Sequence, residues 1–382
     1  MAPGNLTMLA VGDLMVGAQG DESLFALAAP VLKTADVLVG QGETLFSTRS
    51  VEKYYVEVPT EFFAGYGGDP SGISALVSAG FHVITLAGNH IWDSGAPGIE
   101  DTVAGLQSQG IAVVGAGMNI EEARRPAIVE RAGTRFGFLN YNCAGPKLTW
   151  ATPEKPGNAY VHVVTAYELE HPTPGGNPTI YTFAEPRSLG VMIDDIQKLR
   201  SRCDVLVVCF HKGIGFVPAK LAMYEQQVSY SAIDAGADVV IGHHAHLIRG
   251  IEFYKGRPIF HGLGHFVLGQ QAFSPSRTAT WARDNFLKKT GDLFGPYFET
   301  SYHLESMKTM IAKCNIVDGK VSRVSYFPCL INQEGQAEVI RRGDERGQGL
   351  FDYMISITRA AELNARYEWD GDEVVAIPDT GL

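Results

Sequence analysis

Short runs rich in Val, Ile and Leu recur at 6–11, 37–39, 83–86, 112–114, 135–140, 205–209, 239–241 and 258–261, each of strand length. Longer stretches with apolar residues at helical spacing separate them, at 71–79, 95–109, 189–202 and 218–235. Strands buried on both faces read as continuous apolar runs, and amphipathic helices cover them, so this alternation predicts a layered α/β fold. Ser71 stands where a helix cap is expected, and Gly80 and Gly236 stand where helices should stop.

Two stretches break the rhythm. Residues 144–186 are dense in Pro, Gly and Thr and read as a long ordered excursion of the kind that shapes a pocket mouth, carrying Lys147, Trp150, Tyr160 and His162. Between Gln270 and His303, Phe273, Trp281, Phe286, Phe294, Tyr297, Phe298 and Tyr302 are interleaved with charges, as in a lid or a contact between copies in a homo-oligomer. Apolar runs at 310–317 and 321–327 then flank Asp318-Gly319-Lys320, the signature of a β-hairpin. The expected organisation is a core over 1–270, with 144–186 inserted, and a segment 271–382 whose lid, hairpin and tail complete the same fold.

Polar residues cluster where the apolar runs end: Gly12-Asp13, Gly42-Glu43, Gly88-Asn89-His90, His211-Lys212-Gly213, Gly242-His243-His244-Ala245-His246 and Gly262-Leu263-Gly264-His265. Loops at the carboxyl ends of strands are where layered α/β proteins gather their chemistry. Taken singly, Asp13 and Glu43 read equally well as turn residues. The histidine cluster after Val239-Val240-Ile241 carries more weight, because imidazoles crowded at one strand end call for a cation or anion to offset them. Asp, Glu, Asn and neutral His together suit Mn²⁺, Fe²⁺, Zn²⁺ or Mg²⁺. The set therefore points to a metal-dependent hydrolase.

A net charge of −11 argues against broad nucleic-acid binding. Apolar runs stop short of the roughly 18 residues that span a bilayer. The absence of a basic residue before Lys33, together with five scattered cysteines free of C-x-x-C spacing, leads us to expect a cytoplasmic protein with reduced thiols. Its substrate is expected to be a small molecule or short polymer.

These motifs resemble the calcineurin-like metallophosphoesterase superfamily and, within it, the CapA-like group named after the poly-γ-glutamate capsule synthesis protein. The resemblance runs from Gly12-Asp13-Leu14-Met15-Val16-Gly17 through Asn89-His90 and Asp93-Ser94-Gly95 to the stretch from Asp234 to His246, then Gly250 to Phe260, Gly262 to Phe266 and the Asp318 turn. It implies a four-layered α/β/β/α sandwich with one or two divalent ions. Asp13 and His246 are implied ligands of a first ion, Asn89, His211 and His243 of a second, and Glu43 bridges. His90 would be an outer acid oriented by Asp93. Met15 stands where the superfamily has His, and Gln41 where the group has Asn, so the first site is expected to bind more weakly unless His265, which replaces an Asn, contributes an imidazole. Lys212 and Arg249 are candidates for holding an anionic substrate group. A phosphoester is the default substrate implied; a γ-glutamyl amide and a non-catalytic role in exopolymer assembly are the alternatives.

Overall fold

The computed structural model describes residues 5–17, 21–49, 67–169, 178–269 and 304–379. The aromatic segment 270–303 and the Pro/Gly run at 171–176 lie outside the described residues. Two sheets dominate. One contains ten strands in the order Ala365–Asp370, Glu373–Pro378, Lys320–Ile331, Lys308–Val317, Leu6–Met15, Val37–Gly42, Val83–Thr85, Ala112–Val114, with His265–Leu268 also on Leu6–Met15 and Ala337–Val339 on Lys320–Ile331. The other contains six: Ile251–Tyr254, Arg257–Phe260, Val239–His244, Val205–Lys212, Thr134–Asn142 and Ala127–Arg131.

Side-chain alternation assigns the layers, because successive residues of a strand face opposite sides of a sheet. In the first strand Met8 and Ala10 join an apolar cluster with Val207, Cys209, Val239 and Ile241 of the other sheet. Leu9 and Val11 point the opposite way, onto Leu76 of the helix Ile73–Ala79 and Ile99 and Leu106 of the helix Gly95–Ser108. Leu206, Val208 and Phe210 face Met192 and Ile196 of Pro186–Arg200 and Val228 and Ala232 of Met223–Ala235. Three apolar interfaces thus separate four layers, and the fold is an α/β/β/α sandwich.

Several elements differ from the expected bounds. The strands run past their apolar stretches to include Asp13, His211, Lys212, His243 and His244, since the ladder tolerates polar side chains that meet partners above the sheet. Ser71 is not the cap; Asp69 accepts from the Ser71 amide at the start of the turn Pro70–Gly72, which leads into Ile73–Ala79. Gly80 ends that helix with a left-handed φ of 87°. The excursion is more regular than its composition indicated, since it holds a hairpin of Val163–Leu169 and Pro178–Ala184. A helix at Glu345–Ala360, with Leu350, Met354 and Ile357 on its buried side, was not anticipated. Lys308–Val317 and Lys320–Ile331 pair as the expected hairpin, with Asp318 and Gly319 at φ 51° and 69°. No helix of the described residues is long and apolar enough to cross a membrane.

Candidate metal centre

Register brings the polar strand ends together. Val205–Lys212 and Val239–His244 run parallel with His211 beside His243, and His265 lies beside Asp13 on the first strand. That second pairing requires the 262–264 turn to pass very close: a Cβ on Gly12 would stand 1.8 Å from the Gly264 carbonyl oxygen. The Asp13 amide donates to that same carbonyl at 3.0 Å.

Ligand atoms of Asp13, Glu43 and His211 lie within 4.8 Å of one another, and so do those of Asp13, His246 and His265. Asp13 is common to both groups. Its Oδ2 is 3.1 Å from His246 Nδ1, whereas Oδ1 has no hydrogen-bond partner. Burial opposes ionisation of Asp13, but the bond from His246 and the nearby imidazoles outweigh it and hold the carboxyl well below its usual range. Glu43, also buried, finds no hydrogen-bond donor for either oxygen. Burial and the neighbouring Asp13 push it up to about 7.

Asn89 Oδ1 lies 2.7 Å from His211 Nε2 and 3.1 Å from His244 Nδ1, and those two ring nitrogens are themselves 3.1 Å apart. His243 points elsewhere, with Nε2 at 3.2 Å from the Val11 carbonyl. The family resemblance implies His243 as the ligand here, whereas the geometry brings His244 to Asn89 and His211. Strand alternation puts His243 on the same face as His211, but φ of 84° at His244 and 56° at His246 breaks the alternation and swings both rings back over the strand end. Left-handed backbone at non-glycine residues is strained, and such strain concentrates at functional sites. Burial lowers His244 to about 3, and it also drives His211 and His265 well below their ordinary value, so these rings are neutral and available as ligands.

His90 sits at the rim. Its Nδ1 is 2.7 Å from Asp93 Oδ2 and its Nε2 is 3.8 Å from Glu43. Burial opposes the His90 cation, but the Asp93 carboxylate outweighs it and raises His90 to about 9. The turn carrying Asn89 and His90 is braced by the excursion: Asn158 Nδ2 donates to the Gly88 carbonyl at 2.8 Å, and Lys155 lies over the Trp92 ring at 4.8 Å. A Cβ on Gly145 would stand 2.5 Å from that of Asn89, so glycine permits this approach. Trp150 and Tyr160 stack at 4.1 Å within the same excursion, with His162 at the indole edge and Lys147 over it.

Lys212 and Arg249 do not face this centre. Alternation turns Lys212 toward the helix layer, where Nζ donates to the Glu225 carbonyl at 3.2 Å and lies 3.1 Å from His261 Nδ1. Arg249 is wholly buried against the Glu225 carboxylate at 2.9 and 3.0 Å and also donates to the Ile214 carbonyl. Both cations are committed inside the protein, out of reach of a substrate anion.

Layers, sheet order and a strand-end cluster of carboxylates, imidazoles and an asparagine define a layered α/β protein with a candidate metal centre. The chain belongs to the bacterial capsule synthesis protein family PGA_cap, whose profile matches residues 7–270. It is 27% identical over 277 residues to the capsule biosynthesis protein CapA of Bacillus anthracis, covering 69% of this chain and 60% of that one. It is 26% identical over 269 residues to the PGA biosynthesis protein CapA of Bacillus subtilis, covering 68% and 62%. These matches therefore span less than two thirds of either relative. Among solved structures, a hypothetical protein from Thermus thermophilus gives a TM-score of 0.47 at 14% identity, covering 85% of this chain and 98% of that one. A putative 5′-nucleotidase from Staphylococcus aureus gives 0.45 at 12%, covering 92% and 58%.

Proposed function

We propose that this chain is a metal-dependent hydrolase acting on a small anionic substrate, with a phosphoester as the default. The observation that carries the reading is the pair of buried carboxylates, Asp13 and Glu43: Asp13 Oδ1 and both oxygens of Glu43 lack hydrogen-bond donors although imidazoles lie close by. Buried carboxylates without partners are costly, and a divalent cation satisfies them and the imidazole nitrogens together. One ion would be held by Asn89, His211 and His244 with Glu43, the other by Asp13, His246 and His265. Asp13, common to both clusters of ligand atoms, is as well placed to bridge as Glu43. Bound divalent ions supply Lewis acidity and a water acidic enough to attack at neutral pH.

The protein's own groups do the rest. Asp93 holds the His90 imidazole and favours its cation, so at neutral pH His90 carries a proton that it can donate to a departing oxygen or nitrogen. His211 and His265, buried and neutral, offer ring nitrogens as ligands and have no proton to give to the reacting bond. The capsule and PGA biosynthesis relatives favour a second reading, in which the same arrangement cleaves or transfers at a γ-glutamyl amide.

The test is metal analysis of the full chain purified without chelator, followed by an activity panel of phosphomonoesters, phosphodiesters and γ-glutamyl amides. Stoichiometric divalent metal with metal-dependent phosphate release supports the first reading, and amine release supports the second. His90→Ala is expected to keep its metal and lose about 10²–10⁴-fold in turnover. Protein that binds no divalent ion on titration overturns both readings.

A further inference from the structure

The loop 213–216 follows the strand bearing His211 and is tied down on three sides. The Gly213 amide donates to the Tyr224 hydroxyl at 2.6 Å, the Ile214 carbonyl accepts from Arg249, and the Phe216 amide donates to the Ala245 carbonyl at 3.0 Å. These anchors hold Phe216 at φ 58°, a backbone conformation that a bulky aromatic residue rarely adopts. The side chain held there is not packed into a core: Phe216 is 46% exposed. Its ring lies 5.3 Å from that of His246, which in turn stacks on His265 at 4.2 Å. A Cβ added at neighbouring Gly215 would meet nothing within 4 Å, so no other element packs against the loop there.

A strained backbone, a partly exposed aromatic side chain and direct contact with an imidazole of the site have no common explanation in folding. Glycine at 216 would remove the strain, and a polar residue would suit the exposure. We propose that Phe216 forms an apolar subsite beside the metal centre that receives the organic group of the substrate, selecting anions that carry a planar or aromatic substituent over small ones. The proposal rests on the metal-hydrolase reading and extends it to substrate class. Chemically, the anionic end would sit among Asp13, His246 and His265 with their ion. The substituent would lie against the Phe216 face, where burial of both apolar surfaces and ring packing favour binding.

Calorimetric titration of the manganese-loaded full chain with phenylphosphonate and methylphosphonate tests this, since the probes share an anion and differ in the substituent. We expect the parent to bind phenylphosphonate about tenfold more tightly. Phe216→Ala and Phe216→Gly should bring the two probes within about twofold, with methylphosphonate affinity unchanged, and Phe216→Leu should recover most of the preference. Phe216→Gly should also melt no lower than the parent, because glycine accepts the left-handed backbone freely. Equal weakening of both probes in Phe216→Ala would assign the ring to support of His246 and overturn the subsite, as would a parent without preference. Failure of manganese to bind at all would instead overturn the hydrolase reading beneath it.

Discussion

Two buried polar clusters lie back to back on the strand Val205–Lys212, and they are finished to different degrees. On the helix side, Lys212 and Arg249 meet Glu225, Lys212 reaches His261, and His261 Nε2 lies 2.8 Å from Glu252, which also accepts from Tyr230. Two cations face two carboxylates there, and burial lowers His261 to about 4, leaving it neutral. On the other side, Asp13 and Glu43 crowd together with orphaned oxygens near His211 and His265, whose rings burial keeps neutral. Adjacent residues of one strand, His211 and Lys212, feed the two clusters. Equal burial thus has two meanings: where hydrogen bonds and charges close, the cluster is a fastener, and where they stay open, something further belongs in it.

The largest effect expected from this contrast is at the histidine pair. Altering even an outer partner of a metal ligand typically costs about 10–100-fold in affinity or activity, and removing a ligand itself exceeds that. His244→Ala should therefore lose more than about 100-fold in metal affinity. His243→Ala, which gives up the contact with the Val11 carbonyl and the attraction of its ring to Asp13, should stay within about tenfold of the parent. Titration with Mn²⁺ or Zn²⁺ measures both, and the reverse ranking would return His243 to the centre.

Stability separates the clusters next. Breaking a buried ion pair from one side leaves an uncompensated charge and costs about 3–5 kcal/mol, so Glu225→Ala should be destabilised by that amount whether or not metal is present. Glu43→Gln should do the opposite when metal is removed. Relief of an unpartnered carboxylate beside Asp13 is expected to leave the metal-free protein as stable as the parent or more so, by about 1–3 kcal/mol, while metal no longer raises its melting temperature to the parental extent. Denaturant unfolding with and without chelator reads both variants. A Glu43→Gln protein destabilised in the absence of metal would mean that its carboxylate already has a structural partner.

Much of this was legible in the chain, and the failures have local causes. The apolar runs located the central strands because burial on both faces writes a continuous pattern, and the strand ends located Asp13, Asn89, His211 and His246, which do converge. Parity along Val205–Lys212 places Lys212 opposite His211, but a strand ended at its last apolar position leaves both residues in a loop, where parity carries no information. His244 was hidden for the converse reason, since only a left-handed backbone puts it beside His211, and although histidine adopts that backbone more often than most residues, it does so too rarely for a sequence to mark the position. Glu225 joins Lys212, His261 and Glu252 only through the packing of a helix on a sheet, a contact that sequence spacing does not encode.

The smallest effect concerns a histidine belonging to neither cluster. His82 Nδ1 accepts from the Leu38 amide at 3.0 Å, which requires that nitrogen to be unprotonated. Burial, with the Arg131 charge adding to it, lowers its pKa below the ordinary 6.5. The unfolded chain therefore takes the proton first as pH falls through 6.5, and by linkage the native state loses stability across that window. His82→Asn keeps an acceptor of similar reach without the titration, so its unfolding free energy should fall less steeply than the parent's between pH 7 and the acid side of 6.5. Comparing the two proteins in the same metal-saturated buffer removes the contribution of the ligand imidazoles, which also resist protonation. Identical slopes would show that the Leu38 contact survives protonation of the ring, and that His82, unlike the histidines of the centre, does not depend on its neutral form.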